Sequence, residues 1–185
     1  MPRVSEISDS KPMQSAPSSE RVHIAIFGRC NAGKSTLVNR LTGQDVAIVS
    51  PVAGTTTDPV QKAIEINGLG AAILIDTPGL DDNTLLGAER VARSAKVLDK
   101  TDIAIILFTE AGGENELRLM EECRIREIPT LIALAHIDKL ENHEAIKEEL
   151  ARVTNRDVVA ISALTGEGIE ELTKAIVAIR PAEER

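Results

Sequence analysis

Aromatic residues are nearly missing from this chain: it has no Trp and no Tyr, and its two Phe, Phe27 and Phe108, make up an aromatic content of 1%. Any core must therefore be aliphatic, built from Ile, Leu, Val and Ala. Cysteine is scarce too. Cys30 and Cys123 are too few for a disulfide framework and suit a reducing cytosol. Positive charge is in deficit, with 21 Lys and Arg against 29 Asp and Glu and a formal net charge of −8. That balance argues against unaided binding to nucleic acid or to an anionic membrane surface, both of which need clustered Lys and Arg. An anionic substrate stays open if positive groups are concentrated locally. No apolar run approaches the length of a membrane span, and the first twenty residues lack the apolar centre of a secretory signal, so a cytoplasmic location is expected.

What remains is a soluble, globular balance of 43% hydrophobic and 27% charged residues over 185 positions, enough for one domain with a real core. Residues 1–20, rich in Ser and Pro, read as a flexible tail that cannot repay the entropy of ordering. Residues 21–180 read as the folded domain, and Pro181 closes the last helix into a short tail, 181–185. No internal repeat is present. Within the domain, VHIAIF (Val22 to Phe27), AAILID (Ala71 to Asp76), IAIILF (Ile103 to Phe108), TLIALA (Thr130 to Ala135) and VVAIS (Val158 to Ser162) read as buried strands. VQKAIEI, Val60 to Ile66, alternates like a half-buried edge strand, and NGLG, Asn67 to Gly70, turns it back as a hairpin. Helical patterns follow Ser35 to Leu41, Leu86 to Leu98, Glu114 to Glu127, Asn142 to Val153 and Ile169 to Ile179. Alternation of this kind predicts parallel crossover units, hence an α/β fold. Thr42 to Asp58, with Pro51, Gly54 and three threonines, reads as one long functional loop.

The chain is organised around GRCNAGKS, Gly28 to Ser35, which matches the phosphate-loop pattern in full and stands between a strand and a helix. Gly28 and Gly33 let the backbone wrap closely around an anion, so that successive N–H donors and the positive end of the following helix point at phosphate oxygens. Lys34 then reaches the β- and γ-phosphates, and Ser35 offers a hydroxyl to the magnesium ion that bridges them.

Two further segments suit the same chemistry. DTPG places Asp76 at a strand end, where it can hold magnesium through water, and Gly79 where its N–H can meet a γ-phosphate. In the long loop, Thr55, Thr56 and Thr57 can each give a hydroxyl to magnesium, with Thr56 preferred, although the residues alone do not choose between them. The base is read elsewhere. In AHIDK, Ala135 to Lys139, the carboxylate of Asp138 can accept both adjacent donors of guanine, whereas adenine presents an acceptor there. SAL, Ser162 to Leu164, follows the last strand, and its backbone N–H groups can receive the guanine carbonyl oxygen. His23, His136, His143 and the two cysteines lack metal-ligand spacing or a nucleophile partner, so no zinc, iron–sulfur or cysteine-protease chemistry is expected. The acidic run ENELRLMEE, Glu114 to Glu122, reads as a solvated helix face.

GRCNAGKS, GTTTD, DTPG, AHID and SAL stand in the order of the five motifs of translation-factor-class GTPases, which the chain resembles from Val22 to about Ile179. More narrowly, DVAIVSPVAGTTTDPV, LIDTPGLDD and LGAERVARSAKVLDKTDIAI look like the GTPase domain of the HydF family, which matures [FeFe]-hydrogenase and is related to MnmE, Der and Era. MnmE and Der proteins usually carry Arg where Thr57 stands. The resemblance implies a P-loop NTPase of small G-protein type, with a six-stranded mostly parallel sheet, one antiparallel edge strand and helices on both faces. It implies GTP and GDP as substrate and product, Mg2+ at Ser35, Thr56 and Asp76, and slow hydrolysis stimulated by K+ at Asn31. Lys34, Thr56 and Gly79 would be the catalytic groups. The nucleotide would be held by Asn31, Ala32, Gly33, Lys34, Ser35 and Thr36 at the phosphates and by His136, Asp138, Ser162, Ala163 and Leu164 at the base.

Leu80 occupies the position of a water-orienting glutamine, which itself argues for slow turnover. Where the family has Asn-Lys-x-Asp, Ala135 and His136 remove an amide that bonds the base and a lysine stem that covers it. One lost hydrogen bond is worth ~0.5–1.5 kcal/mol, or up to roughly tenfold in affinity. Complete HydF proteins continue into dimerisation and iron–sulfur domains, so an isolated GTPase domain is expected here. Its partners would be other domains of the parent protein and a hydrogenase or maturase. The alternatives are a GTPase of tRNA modification or ribosome assembly, and a non-catalytic nucleotide-binding module.

Overall fold

Aliphatic strands alternating with amphipathic helices can satisfy their apolar faces only as a sheet covered on both sides. The computed structural model describes residues 21–29, 32–43, 46–52, 60–77 and 95–179. In chain order the elements are β1 (Val22–Phe27), α1 (Lys34–Gly43), β2 (Val46–Val52), β3 (Val60–Ile66), β4 (Gly70–Asp76) and β5 (Ile103–Phe108). They continue with α2 (Glu114–Ile125), β6 (Thr130–Leu134), a 3-10 turn (Ile137–Lys139), α3 (His143–Thr154), β7 (Val158–Ala160) and α4 (Ile169–Ile179). Residues 95–99 are also helical; the remainder of the helix expected from Leu86, and both expected tails, lie outside the described residues.

The strands join in the order β2-β3-β4-β1-β5-β6-β7. β1 pairs in parallel with β4 and β5, and β5, β6 and β7 continue in parallel, while β3 runs antiparallel to both β4 and β2. All six anticipated strands are present, including the β3–β4 hairpin and the single antiparallel strand. The edge is a correction. β2 is a seventh strand outside β3, formed by residues that read as part of one long loop. Its VAIVSPV sequence is rich in β-branched residues, and the outer edge of β3 supplies a ladder for them. The register slips between Ile48 and Ser50, and Pro51 is tolerated because an outermost strand needs no donor on its open side.

Strand alternation divides the core in two. Ile103, Ile105 and Leu107 point with Ile24 and Ile26 to the face covered by Leu37, Val38 and Leu41 of α1 and by Leu172 and Ile176 of α4. Ala104, Ile106 and Phe108 point with Ala25 and Phe27 to the opposite face, against Val97, Leu98, Leu119, Cys123 and Leu150. Both phenylalanines thus fill the same layer. Among the described residues no helix is long and apolar enough to cross a membrane.

The carboxyl ends of β1, β4, β6 and β7 all lead into the segments singled out above, which is where open α/β sheets hold ligands. One glycine fixes how the last of these segments enters α4. Gly168 has φ +78°, and a Cβ on it would lie 2.0 Å from the carbonyl oxygen of Ala160. Gly168→Ala is therefore expected to cost about 2–4 kcal/mol through strain and displacement of the end of β7, read as a lower urea midpoint with an unchanged denaturant slope.

Candidate functional site

The phosphate loop closes on its own lysine. After β1, the Ala32 N–H donates to Arg29 O at 2.9 Å to make a tight turn, and the Leu37 N–H reaches Gly33 O at 2.8 Å to open α1. Gly33 has φ +82°, a conformation most side chains avoid. Lys34 is 6% exposed, and a buried ammonium needs acceptors. Its Nζ donates to Gly28 O and Arg29 O, both at 2.9 Å. Ala32 is buried beneath the turn, whereas Ser35 and Thr36 are exposed on the first turn of α1.

Beside them lies the end of β4. The register sets Ile26 opposite Asp76, and Thr77 is tied to Ile26 O by its hydroxyl at 2.7 Å. This brings the Ser35 Oγ to 2.9 Å from Asp76 Oδ2, to which it donates. A hydroxyl and a carboxylate, both oxygen donors, meet at the positive end of a helix, a donor set that fits a hard divalent cation such as Mg2+.

The second group of residues comes from the ends of β6 and β7. Ala135 N–H bonds to Phe108 O at 2.8 Å, and Ile161 N–H to Leu134 O at 2.8 Å, so both strand ends are pinned to their neighbours. His136 adopts a left-handed conformation, φ 60° and ψ 33°, which sends its ring toward the phosphate loop. A Cβ on Gly33 would lie 3.3 Å from His136 Cε1. Ser162, fully buried, donates through Oγ to Asp138 Oδ1 at 2.8 Å and accepts the Thr165 N–H at 3.1 Å. Ala163 and the 68% exposed Leu164 follow. The structure therefore brings together Gly33, Lys34, Ser35 and Asp76, joins Asp138 to Ser162, and sets His136 against the loop. Asn31, Thr56 and Gly79, with Cys30, Thr55, Thr57 and Leu80, lie outside the described residues.

One contact of the phosphate loop escaped the sequence. Arg29 Nε donates to Glu116 Oε1 at 2.9 Å, and its Nη2 lies 3.0 Å from Glu110 Oε1. Glu116 belongs to the acidic run expected to be a solvated face, yet it is 1% exposed, a correction to that expectation. The cause is Arg29, a cation 87 positions earlier that draws the carboxylate inward. Attraction to Glu116 is the largest influence raising the Arg29 pKa, opposed by burial and helped by Glu110. Cys123 is a core residue, and burial pushes its thiol up, away from the reactive thiolate. Among the described residues no group of three or more His, Cys, Asp and Glu is placed to hold a metal ion.

This fold, with its motifs in this order, defines a P-loop GTPase domain. The chain belongs to the family described as 50S ribosome-binding GTPase, which matches residues 23–162. It is similar to the tRNA modification GTPase MnmE of Thermotoga petrophila, 36% identical over 159 residues, covering 83% of this chain and 34% of that protein. Among solved structures, it is similar to Era of Aquifex aeolicus bound to GDP·AlF4−, with a TM-score of 0.68 and 29% identity over 88% of this chain and 57% of that one. It is also similar to Era in complex with MgGDPNP and nucleotides 1506–1542 of 16S ribosomal RNA, with a TM-score of 0.69 and 30% identity, covering 89% of this chain and 58% of that one. The chain spans about a third of the length of the curated relative it matches.

Removing one member of this ion pair, buried at its Glu116 end and half-buried at Arg29, gives a direct test of the phosphate-loop support. Arg29→Ala leaves Glu116 buried without its counter-charge and is expected to cost about 2–4 kcal/mol in urea unfolding. Removing both charges in the Arg29→Ala, Glu116→Ala double variant should recover part of that loss, because no unpaired buried charge remains.

Proposed function

We propose that this domain is a Mg-GTP switch whose two recognition centres divide the work. Lys34, the N–H groups from Asn31 to Thr36, Ser35, Thr56 and Asp76 hold the phosphates and Mg2+, and Gly79 senses the γ-phosphate. Asp138, with Ser162, Ala163 and Leu164, reads guanine. The observation that carries this reading is the Ser35–Asp76 contact at 2.9 Å, since a phosphate loop with a hydroxyl and a carboxylate at its helix end suits a cation bridging two phosphates. Potassium at Asn31, beside the β- and γ-phosphates, would supply the charge that an arginine finger supplies elsewhere.

For the process served, we favour tRNA modification, on the strength of the name carried by the relative at 36% identity. Hydrogenase maturation is the second reading, supported by the loop GTTTDPV, with Thr57 where MnmE and Der proteins usually carry Arg, and by a net charge of −8 that does not suit RNA. Substituting this chain for the corresponding domain of the Thermotoga petrophila protein separates them. Restored tRNA modification supports the first reading. Loss of modification with GTP hydrolysis retained turns attention to GTP-dependent binding of a hydrogenase.

Base reading has its own test. Displacement of a fluorescent guanine nucleotide should rank GTP well ahead of ATP, and Asp138→Asn should invert the preference to XTP, because an amide offers a donor where xanthine has its 2-oxo group. Equal competition by ATP in the unaltered chain sinks the guanine assignment. At the metal, Ser35→Ala should raise the Mg2+ concentration for half-maximal turnover by roughly tenfold, one lost ligand being worth at least a charged hydrogen bond. Replacing KCl by NaCl should lower turnover in the unaltered chain and leave Asn31→Ala unmoved.

A further inference from the structure

Arg40 has no part in holding phosphate or metal, yet it links α1 to the far side of the site. It sits in the last turn of α1, where the ordinary role of a cation is to face the helix's own terminal carbonyls. Its guanidinium is turned elsewhere. Nε donates to Ala163 O at 3.0 Å, and Nη2 donates to Leu164 O. Both acceptors belong to the loop after β7, the loop assigned above to the guanine carbonyl oxygen.

The consequence follows from the planarity of the peptide. In a trans peptide the C=O and the following N–H point in opposite directions, and no cis peptide is present among the described residues. Holding the Ala163 carbonyl against Arg40 therefore turns the Leu164 N–H away from α1. Holding the Leu164 carbonyl turns the Thr165 N–H away as well, and that donor is taken by Ser162 Oγ at 3.1 Å. The carbonyl of Ser162 accepts the Gly166 N–H at 2.8 Å, which sets the Ala163 N–H on the opposite side. Burial does little to hold the tip, because Leu164 is 68% exposed. Polar bonds fix this loop, and Arg40 supplies two of them.

We infer that Arg40 is a positioning residue for base recognition: through the Ala163 carbonyl it aims the Leu164 N–H, beside the Ala163 N–H that the Ser162–Gly166 bond sets, toward the oxygen at position 6 of a guanine nucleotide. The inference rests on the base-reading role proposed for this loop. A rigid fork suits the task, since two adjacent carbonyls are fixed by one planar group, which a lysine ammonium cannot match. Because the same helix carries Lys34 and Ser35 at its other end, Arg40 also sets the distance between the phosphate end and the base end of the site.

The test compares GTP with 6-thio-GTP, which keeps the two donors read by Asp138 and weakens only the acceptor at position 6. Affinities are measured by displacement of a fluorescent guanine nucleotide, in the unaltered chain and in Arg40→Ala and Arg40→Lys. In the unaltered chain GTP should bind roughly three- to tenfold more tightly than 6-thio-GTP, the range of one hydrogen bond. Arg40→Ala should lower that ratio by about twofold or more toward one, chiefly by weakening GTP, with the thermal midpoint of the nucleotide-free protein little changed. Arg40→Lys should fall between, and it decides the matter if the alanine variant does not fold. Undiminished discrimination in a folded Arg40 variant overturns the role of Arg40 and leaves the loop assignment standing. Equal binding of the two nucleotides by the unaltered chain overturns the loop assignment, and the inference falls with it.

Discussion

Burial of the Lys34 ammonium is the constraint on which the site depends. A cation removed from water must find acceptors, and here it finds the carbonyls of Gly28 and Arg29, 2.9 Å away. That pair of bonds forces the loop to fold back over its lysine, and the fold-back turns the opposite faces of those peptides outward. The same closure starts α1 at Lys34, so the positive helix end and the ammonium act at one place. Arg29, although within the loop, adds little attraction for an anion, because Glu116 and Glu110 already engage it. Among the described residues of the loop, the positive charge left for an anion is therefore that of Lys34 and of oriented N–H groups. A net charge of −8 and phosphate binding are compatible for this reason.

Everything else places partners around that loop. The parallel register of β1 and β4 brings Asp76 to Ser35, and the pinned ends of β6 and β7 deliver Asp138 and Ser162 as a bonded pair. His136 closes the gap between the two halves by lying against Gly33. Its left-handed backbone, unusual for a residue with a side chain, is stored strain of the kind that persists where neighbours over-determine a conformation.

Much of this was legible in the sequence, and the exceptions have physical causes. Five strands could be read because continuous Ile, Leu, Val and Ala runs are what a doubly covered sheet requires, and β3 because VQKAIEI alternates with a period of two. β2 was hidden because Pro51 and the nearby glycine and threonines signal a loop, and only the open edge of β3 makes a strand of VAIVSPV. The phosphate loop was legible because its spacing is local, and Asp76 because it heads the compact DTPG segment at a strand end, 41 positions from Ser35. Glu116 was misread because helix periodicity sees one helix at a time, whereas its partner is Arg29. Arg40 stayed out of sight for the same reason: its acceptors are carbonyls of a distant loop, and main-chain acceptors carry no side-chain signature.

The departures at Ala135 and His136 bear differently on the two ends of the site. Ala135 is 3% exposed and packs into the aliphatic core, so on the proposed reading this position offers the base no amide. His136 keeps contact with the phosphate loop while giving up the long stem of lysine. On the roles proposed above, the phosphate end keeps its framework and the loss would fall on the base. On the proposed reading, discrimination between purines would then rest more heavily on Asp138 and on the main-chain donors after Ser162. Those donors would be only as well aimed as the loop is rigid, and its exposed tip is held by polar bonds from Ser162 and Arg40.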